Sequence, residues 1–172
     1  MRSLPDPGFA GDDGGVDPVV SAALAAYDLA PESPEADQHH ATLSALQEAR
    51  VVVPVVAVLG EVEYDDQGLA HDKTSDMAAV HMTGRDGRTA LLAFTGSASL
   101  TRWTQSYAGS KARPVPVTLR RAGRAAIQED SSALLIDVAG PVQFVVEGED
   151  LRALAEGRRL VQLQDGWGWV LR

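Results

Sequence analysis

The chain of 172 residues contains no cysteine, which removes disulfides, thiolate metal sites and a cysteine nucleophile from consideration. Long apolar runs are lacking too. The longest, Val51 to Leu59, is broken in conformation by Pro54 and falls far short of the ~20 residues that cross a bilayer. The opening Met1-Arg2-Ser3-Leu4-Pro5-Asp6-Pro7 has no apolar signal-peptide core and turns acidic at once, so a cytoplasmic protein without a membrane span is expected. Catalytic spacings are equally scarce. No phosphate-binding Gly-x-x-x-x-Gly-Lys-Ser/Thr element, no Gly-x-Gly-x-x-Gly fingerprint and no Gly-x-Ser-x-Gly elbow occurs. His39, His40, His71 and His81 do not fall at zinc-ligand spacing. Asp12-Asp13 and Asp65-Asp66 read as solvated loop carboxylates, because a calcium loop needs further oxygen ligands at alternating positions. No metal and no cofactor is expected.

Against these absences stands ordinary globular composition, 45% hydrophobic and 23% charged, which suits one main core. The net charge of -9 is uneven: residues 1 to 100 carry 5 basic and 16 acidic groups, residues 101 to 172 carry 10 and 8. An acidic surface repels phosphate backbones and anionic membranes, so nucleic acid is a disfavoured partner.

Residues 1–16, rich in Pro, Gly and Asp, read as a flexible acidic leader. Residues 17–172 read as a single domain with two leading helices and a C-terminal tail over 158–172. Asp17-Pro18 starts a helix carrying Val20, Leu24 and Tyr27, and Ser33-Pro34 opens a second whose stripe is Leu43, Leu46 and Ala49, with His39 on the same face. Val51 to Leu59 reads as a strand covered on both sides, with Pro54 calling for an edge position or a bulge. Met77 to Thr83 and Thr89 to Phe94 flank the Asp86-Gly87 turn as a β-hairpin. Ser97 is placed as the N-cap of a helix that turns Leu100 and Trp103 inward. Val115-Pro116-Val117 is a short edge strand, and Thr118 begins a helix with Leu119, Ala122, Ala126 and Ile127 on one face. Ala133 to Asp137 and Val142 to Glu147 form a hairpin or tight crossover about Ala139-Gly140-Pro141. Leu151, Leu154 and Ala155 belong to a last helix stopped by Gly157, and a terminal hairpin carries Trp167 and Trp169. The order α-α-β-β-β-α-β-α-β-β-α plus that hairpin predicts an α+β fold with a mixed or mainly antiparallel sheet and packed helices.

Leu59-Gly60-Glu61-Val62-Glu63, Lys73-Thr74-Ser75-Asp76-Met77-Ala78 and Gly84-Arg85-Asp86-Gly87-Arg88-Thr89-Ala90-Leu91-Leu92-Ala93-Phe94-Thr95 together resemble the SseB N-terminal domain family, in its actinobacterial form. Ala139-Gly140-Pro141, Leu151 to Gly157 and the leader Pro5 to Gly14 agree with it, and the resemblance spans about Leu43 to Gly157. It implies a fold without implying a reaction or cofactor.

The candidate recognition surface is Lys73, Ser75 and Asp76, with Arg85, Asp86 and Arg88 of the hairpin turn, if the loop before the hairpin folds beside its base. The plainer reading is a turn-forming Asp86 and solvated charges. Secondary candidates are Trp167 and Trp169, as core lid or docking patch, and Arg120, Arg121 and Arg124, as a face for an acidic partner or merely a solvated one. Thr95-Gly96-Ser97 is a weaker anion-site candidate. These features favour a non-enzymatic protein-binding or regulatory module. The alternative is a small enzyme or metabolite-binding protein with its pocket near Lys73 to Asp76.

Overall fold

A computed structural model describes residues 9–30, 35–58, 63–64, 70–71, 76–107 and 111–172. In chain order the elements are α1 (Pro18–Asp28), α2 (Glu35–Leu46), β1 (Arg50–Val58), β2 (Glu63–Tyr64), β3 (Ala70–His71), β4 (Asp76–Ala79), β5 (His81–Thr83) and β6 (Thr89–Ala93). They continue as α3 (Ser97–Ser106), β7 (Arg113–Thr118), α4 (Leu119–Gln128), β8 (Ala133–Ile136), β9 (Phe144–Glu147), α5 (Gly148–Ala155), β10 (Arg159–Leu163) and β11 (Gly166–Val170). The α+β class and the approximate order expected from sequence are both present. The differences are the two-residue β2–β3 pair and the division of one expected strand into β4 and β5. The Ser33-Pro34 helix start and Leu59 lie outside the described residues.

Four strands lie in the order β5-β6-β8-β9 and three in the order β4-β1-β7. All neighbours are antiparallel except β6 and β8, which run parallel with Ala90 opposite Ala133 and Ala93 opposite Ile136. The chain between β6 and β8 contains α3, β7 and α4, a crossover long enough to return a strand in the same direction. The two sheets meet at a fork. Val52 and Phe94 exchange both backbone hydrogen bonds, at 2.7 and 2.8 Å, joining β1 to the end of β6. Two residues along β1, the Pro54 carbonyl accepts from the Val80 N–H at 3.0 Å, and the Val80 carbonyl accepts from Leu92 at 3.0 Å.

Pro54 was expected at an edge or a bulge, yet β1 is the middle strand of its sheet. The fork explains how it is tolerated. In an extended strand the N–H and C=O of one residue point to the same side, so the donor that Pro54 lacks faces the point where β1 changes neighbour from β6 to β4. No ladder partner is stranded there. Val51, Val53 and Val55 then face β7 opposite Val117, Val115 and Arg113, which turns Pro114 and Pro116 to the outer side of an edge strand, where a missing N–H costs nothing.

Alternation along the strands builds two cores. Val51, Val53, Leu91, Ala93, Leu134, Ile136, Phe144 and Val146 pack on one face against Leu24, Leu43, Leu46, Leu119, Leu151 and Leu154 of the surrounding helices. Val52, Leu92, Phe94 and Leu135 form the other face beneath Leu100 and Trp103 of α3. Helix starts follow their caps. The Asp17 side chain accepts from the Val19 N–H and the Thr118 side chain from the Arg121 N–H. The α5 end has Gly157 at φ 83, the left-handed position that favours glycine. Ser97, expected as an N-cap, is instead the first residue of α3, and the cap is Gly96. Among the described residues no helix is long and apolar enough to cross a membrane.

One buried side chain satisfies the backbone where the C-terminal hairpin β10–β11 meets the domain. Gln47, 4% exposed, donates from its amide nitrogen to the Leu160 carbonyl at 3.0 Å and accepts from the Leu160 N–H at 2.9 Å, so it acts as a one-residue strand partner. Replacing Gln47 with Leu leaves both backbone groups of Leu160 without that partner. We expect a loss of about 2–3 kcal/mol in chemical denaturation, with the earliest amide-exchange losses confined to residues 159–170.

Candidate functional site

Residues at the carboxyl ends of the parallel pair converge. One residue beyond Phe94, Thr95 donates its backbone N–H to Asp137 Oδ1 at 2.9 Å and its hydroxyl to Asp137 Oδ2 at 2.5 Å. Asp137 follows β8 directly, is 1% exposed and adopts φ 52, a left-handed conformation that Asp accepts more readily than most residues. Its own N–H donates to the Ala93 carbonyl at 3.0 Å, so the parallel register continues past the end of β8. Burial pushes its carboxyl above the ordinary 3.8, against the lowering effect of the Thr95 hydrogen bonds.

Directly after Thr95, α3 begins at a tight place. A Cβ on Gly96 would lie 2.9 Å from Val16 Cγ2 and 3.1 Å from the Gly14 carbonyl oxygen. Residues 9–16, read from sequence as part of a flexible leader, are placed against this corner. Ser97 donates both its N–H, at 2.8 Å, and its hydroxyl, at 3.0 Å, to the Gly14 carbonyl. Arg50 donates to the Thr95 carbonyl at 3.0 Å, to Asp12 Oδ1 at 2.8 Å and to the Gly15 carbonyl at 2.6 Å. One guanidinium thus ties this N-terminal strap to the β6–α3 junction. Asp12 is therefore an ion-pair partner of Arg50, a role its position in a Gly- and Asp-rich stretch did not suggest. The Ser97 N–H at this helix start meets a carbonyl of the chain itself, which disfavours the Thr95-Gly96-Ser97 anion site.

A second concave surface lies on the sheet face that carries Val52 and Leu92, beyond the end that α3 covers. Its lining includes Met82, Ala90, Leu135 and Val145, rimmed by Asp86, Arg88 and Glu147, around a volume of about 210 Å³. Asp86 Oδ1 accepts from the Arg88 N–H at 3.1 Å, as its turn position requires. The Arg88 guanidinium, beside the β5–β6 turn, pairs across the sheet with the Glu147 carboxylate of β9, each side chain about half exposed.

The sequence candidates are thus divided. Asp86 and Arg88 share this groove, and Arg85 is exposed in the same turn. Asp76 begins β4, opposite Val58, at the other end of the β4–β5 run, and extended chain of that length spans on the order of 20 Å. Asp76 and Arg88 therefore sit at opposite ends of that run. Lys73 and Ser75 lie outside the described residues. Trp167 and Trp169 are half-buried against the main core, and Trp169 Nε1 donates to Asp150 Oδ1 at 2.9 Å. Nor is the arginine cluster a uniform solvated face. Arg120 is largely covered, donating to Glu48 at 2.6 Å and to the Arg158 carbonyl. That hydrogen bond is the main reason the Glu48 carboxyl lies below its ordinary range. Arg124 reaches the Ala155 carbonyl at 3.4 Å, and Arg121 is exposed.

Asp150, at the start of α5, also gathers His39 and His40, whose Nε2 atoms lie 3.6 and 3.2 Å from its Oδ2. The His39 ring stacks on Phe144 with centroids 4.7 Å apart, which leaves the histidine partly buried, while its 3.6 Å approach to Asp150 is too long for a hydrogen bond. Its pKa is lowered from 6.5, chiefly by burial, with Asp150 opposing. Among the described residues no group of three potential ligands is placed to hold a metal ion.

Asp137, Arg50 and Asp150 escaped the sequence reading. The available signal for Asp137 was only an acidic residue ending an apolar strand, with Thr95 in the same place after another.

The SseB protein N-terminal domain family profile matches residues 20–153, which contain the β6–β8 pair and the sheet-face groove but not the strap. The chain belongs to that family. No curated protein and no solved structure matches it.

Two pH effects follow. Asp137 binds its proton more tightly folded than unfolded, so its contribution to stability is full below pH 3.8 and is lost as pH rises through the folded value. Asp137→Asn should remove that decline from a series of denaturation curves between pH 4 and 7. Asp137→Ala, which strips the Thr95 N–H of its acceptor, should cost about 1–3 kcal/mol. His39 behaves oppositely. Its lowered folded pKa makes its contribution full above 6.5 and lost as pH falls towards the folded value, and His39→Gln should flatten the fall in thermal midpoint below pH 6.5.

Proposed function

We propose that this SseB-family domain is a non-enzymatic binding module that takes a basic, amphipathic segment of another protein across the open end of its sheet. The observation that carries this reading is the groove over β5, β6, β8 and β9. Its lining offers Met82, Ala90, Leu135 and Val145 for apolar side chains, and Asp86, Arg88 and Glu147 supply hydrogen-bonding charge at the rim. Such an apolar centre with a polar margin is the usual anatomy of a recognition patch. The basic character of the partner is argued from charge: the chain carries -9 overall, and the first hundred residues hold 16 acidic groups against 5 basic. A segment with lysines or arginines flanking apolar anchors would be steered to such a surface. Its cations would compete with Arg88 for Glu147.

The test is affinity capture with three proteins, the wild type, Ala90→Arg and Val145→Arg, at low and high salt. The expected result is a partner with a basic segment whose retention falls roughly tenfold or more in both variants and weakens with salt, while their thermal midpoints match the wild type. A partner retained equally by the folded variants, or one without a basic segment, would overturn the proposal.

A further inference from the structure

A larger cavity of about 410 Å³ opens on the opposite side of the Thr95–Asp137 junction, between α1 and α3. It lies outside the carboxyl ends of β6 and β8, where sheets with parallel strands commonly place their ligands. Its walls are mostly apolar, from Val16 of the strap, Leu24 of α1, Leu29 that caps it, and Val142 of the β8–β9 connection. Thr95, Ser99 and Arg102 supply polar groups on the α3 side, and Asp28 stands at the end of α1. The volume and the balance of many apolar walls to few polar groups are those of a small-molecule site.

We propose that this cavity binds a small, mainly apolar carboxylic acid, its carboxylate held by Arg102 and its apolar body lying between α1 and α3 beneath Val16. Arg102, exposed at the rim, donates one hydrogen bond from Nη2 to the Gly140 carbonyl at 3.1 Å, and its charge also favours the Asp137 carboxylate. The remaining guanidinium N–H groups provide the fork that suits a carboxylate. Asp28 lines the same cavity and repels an anion, so the polarity of the ligand is the point on which the test must turn. The strap gives the site a cover: Val16 follows directly on the residues that Arg50 and Ser97 hold, so binding is coupled to the Arg50–Asp12 clamp. This site shares no lining residue with the sheet-face groove, and either proposal can fail without the other.

The probes are 3-phenylpropionate and its matched amine and alcohol, titrated into the full chain and followed by amide chemical shifts. Saturable shifts at Thr95, Ala98, Ser99 and Val142, strongest for the acid, are expected. Arg102→Gln should weaken the acid about tenfold and leave the alcohol nearly unchanged. Ala25→Phe and Ala98→Phe, each filling the cavity from a different helix, should abolish the shifts while the spectrum stays folded. Preference for the amine, shifts that survive in a folded filled variant, or no saturable response to any of the three probes would overturn the inference.

Discussion

Two hydrogen bonds from Thr95 to the buried Asp137 carboxylate hold together the place on which the arrangement of the molecule turns. They join the ends of the parallel strands at the point where β6 hands over to α3 and β8 turns towards β9. A buried carboxylate with its partner removed costs far more than the pair contributes when intact. The two chain ends are therefore specified relative to each other with little latitude. The direction of α3, the start of the β8–β9 connection and the mouth of the larger cavity all take their positions from that constraint. Arg50 extends it by binding the Thr95 carbonyl from β1 and the strap from its other nitrogen.

Around this junction the sheet is divided between two tasks. Its inner face is filled by helices α1, α2, α4 and α5 and carries most of the buried apolar area. Among the described residues α3 is the helix over one end of the other face, and the far end is a shallow groove. The fork at Pro54 and Val80 makes this possible, because the β4–β5 run pairs with β1 over its first half and with β6 over its second. Concave surfaces thus arise where the layers end, while the interior between them is packed.

The buried polar contacts also distinguish the peripheral elements. The C-terminal hairpin is docked through Gln47 to Leu160 and through Trp169 to Asp150, so the tryptophans are part of the closing layer. Asp150 links that hairpin to His39 and His40 of α2. Arg120 performs a related task by satisfying the Arg158 carbonyl just before β10. Residues whose types suggested a charged surface are here used to close chain ends.

Local chemistry in the sequence by itself determined much of the secondary structure. The Asp17-Pro18 and Thr118 helix starts, the Asp86-Gly87 turn, the Gly157 stop and the alternating strands all act through neighbours a few residues away. The α+β class and the family membership followed from the same information. Only the tertiary structure decided which distant residues meet: Asp137 with Thr95, Arg50 with Asp12, Gln47 with Leu160, and Arg88 with Glu147. Those pairings depend on strand register, on the parallel crossover and on the fork at Pro54, none of which leaves a short-range pattern. A hydrogen bond between residues far apart in sequence is fixed by the packing that carries both ends to one place.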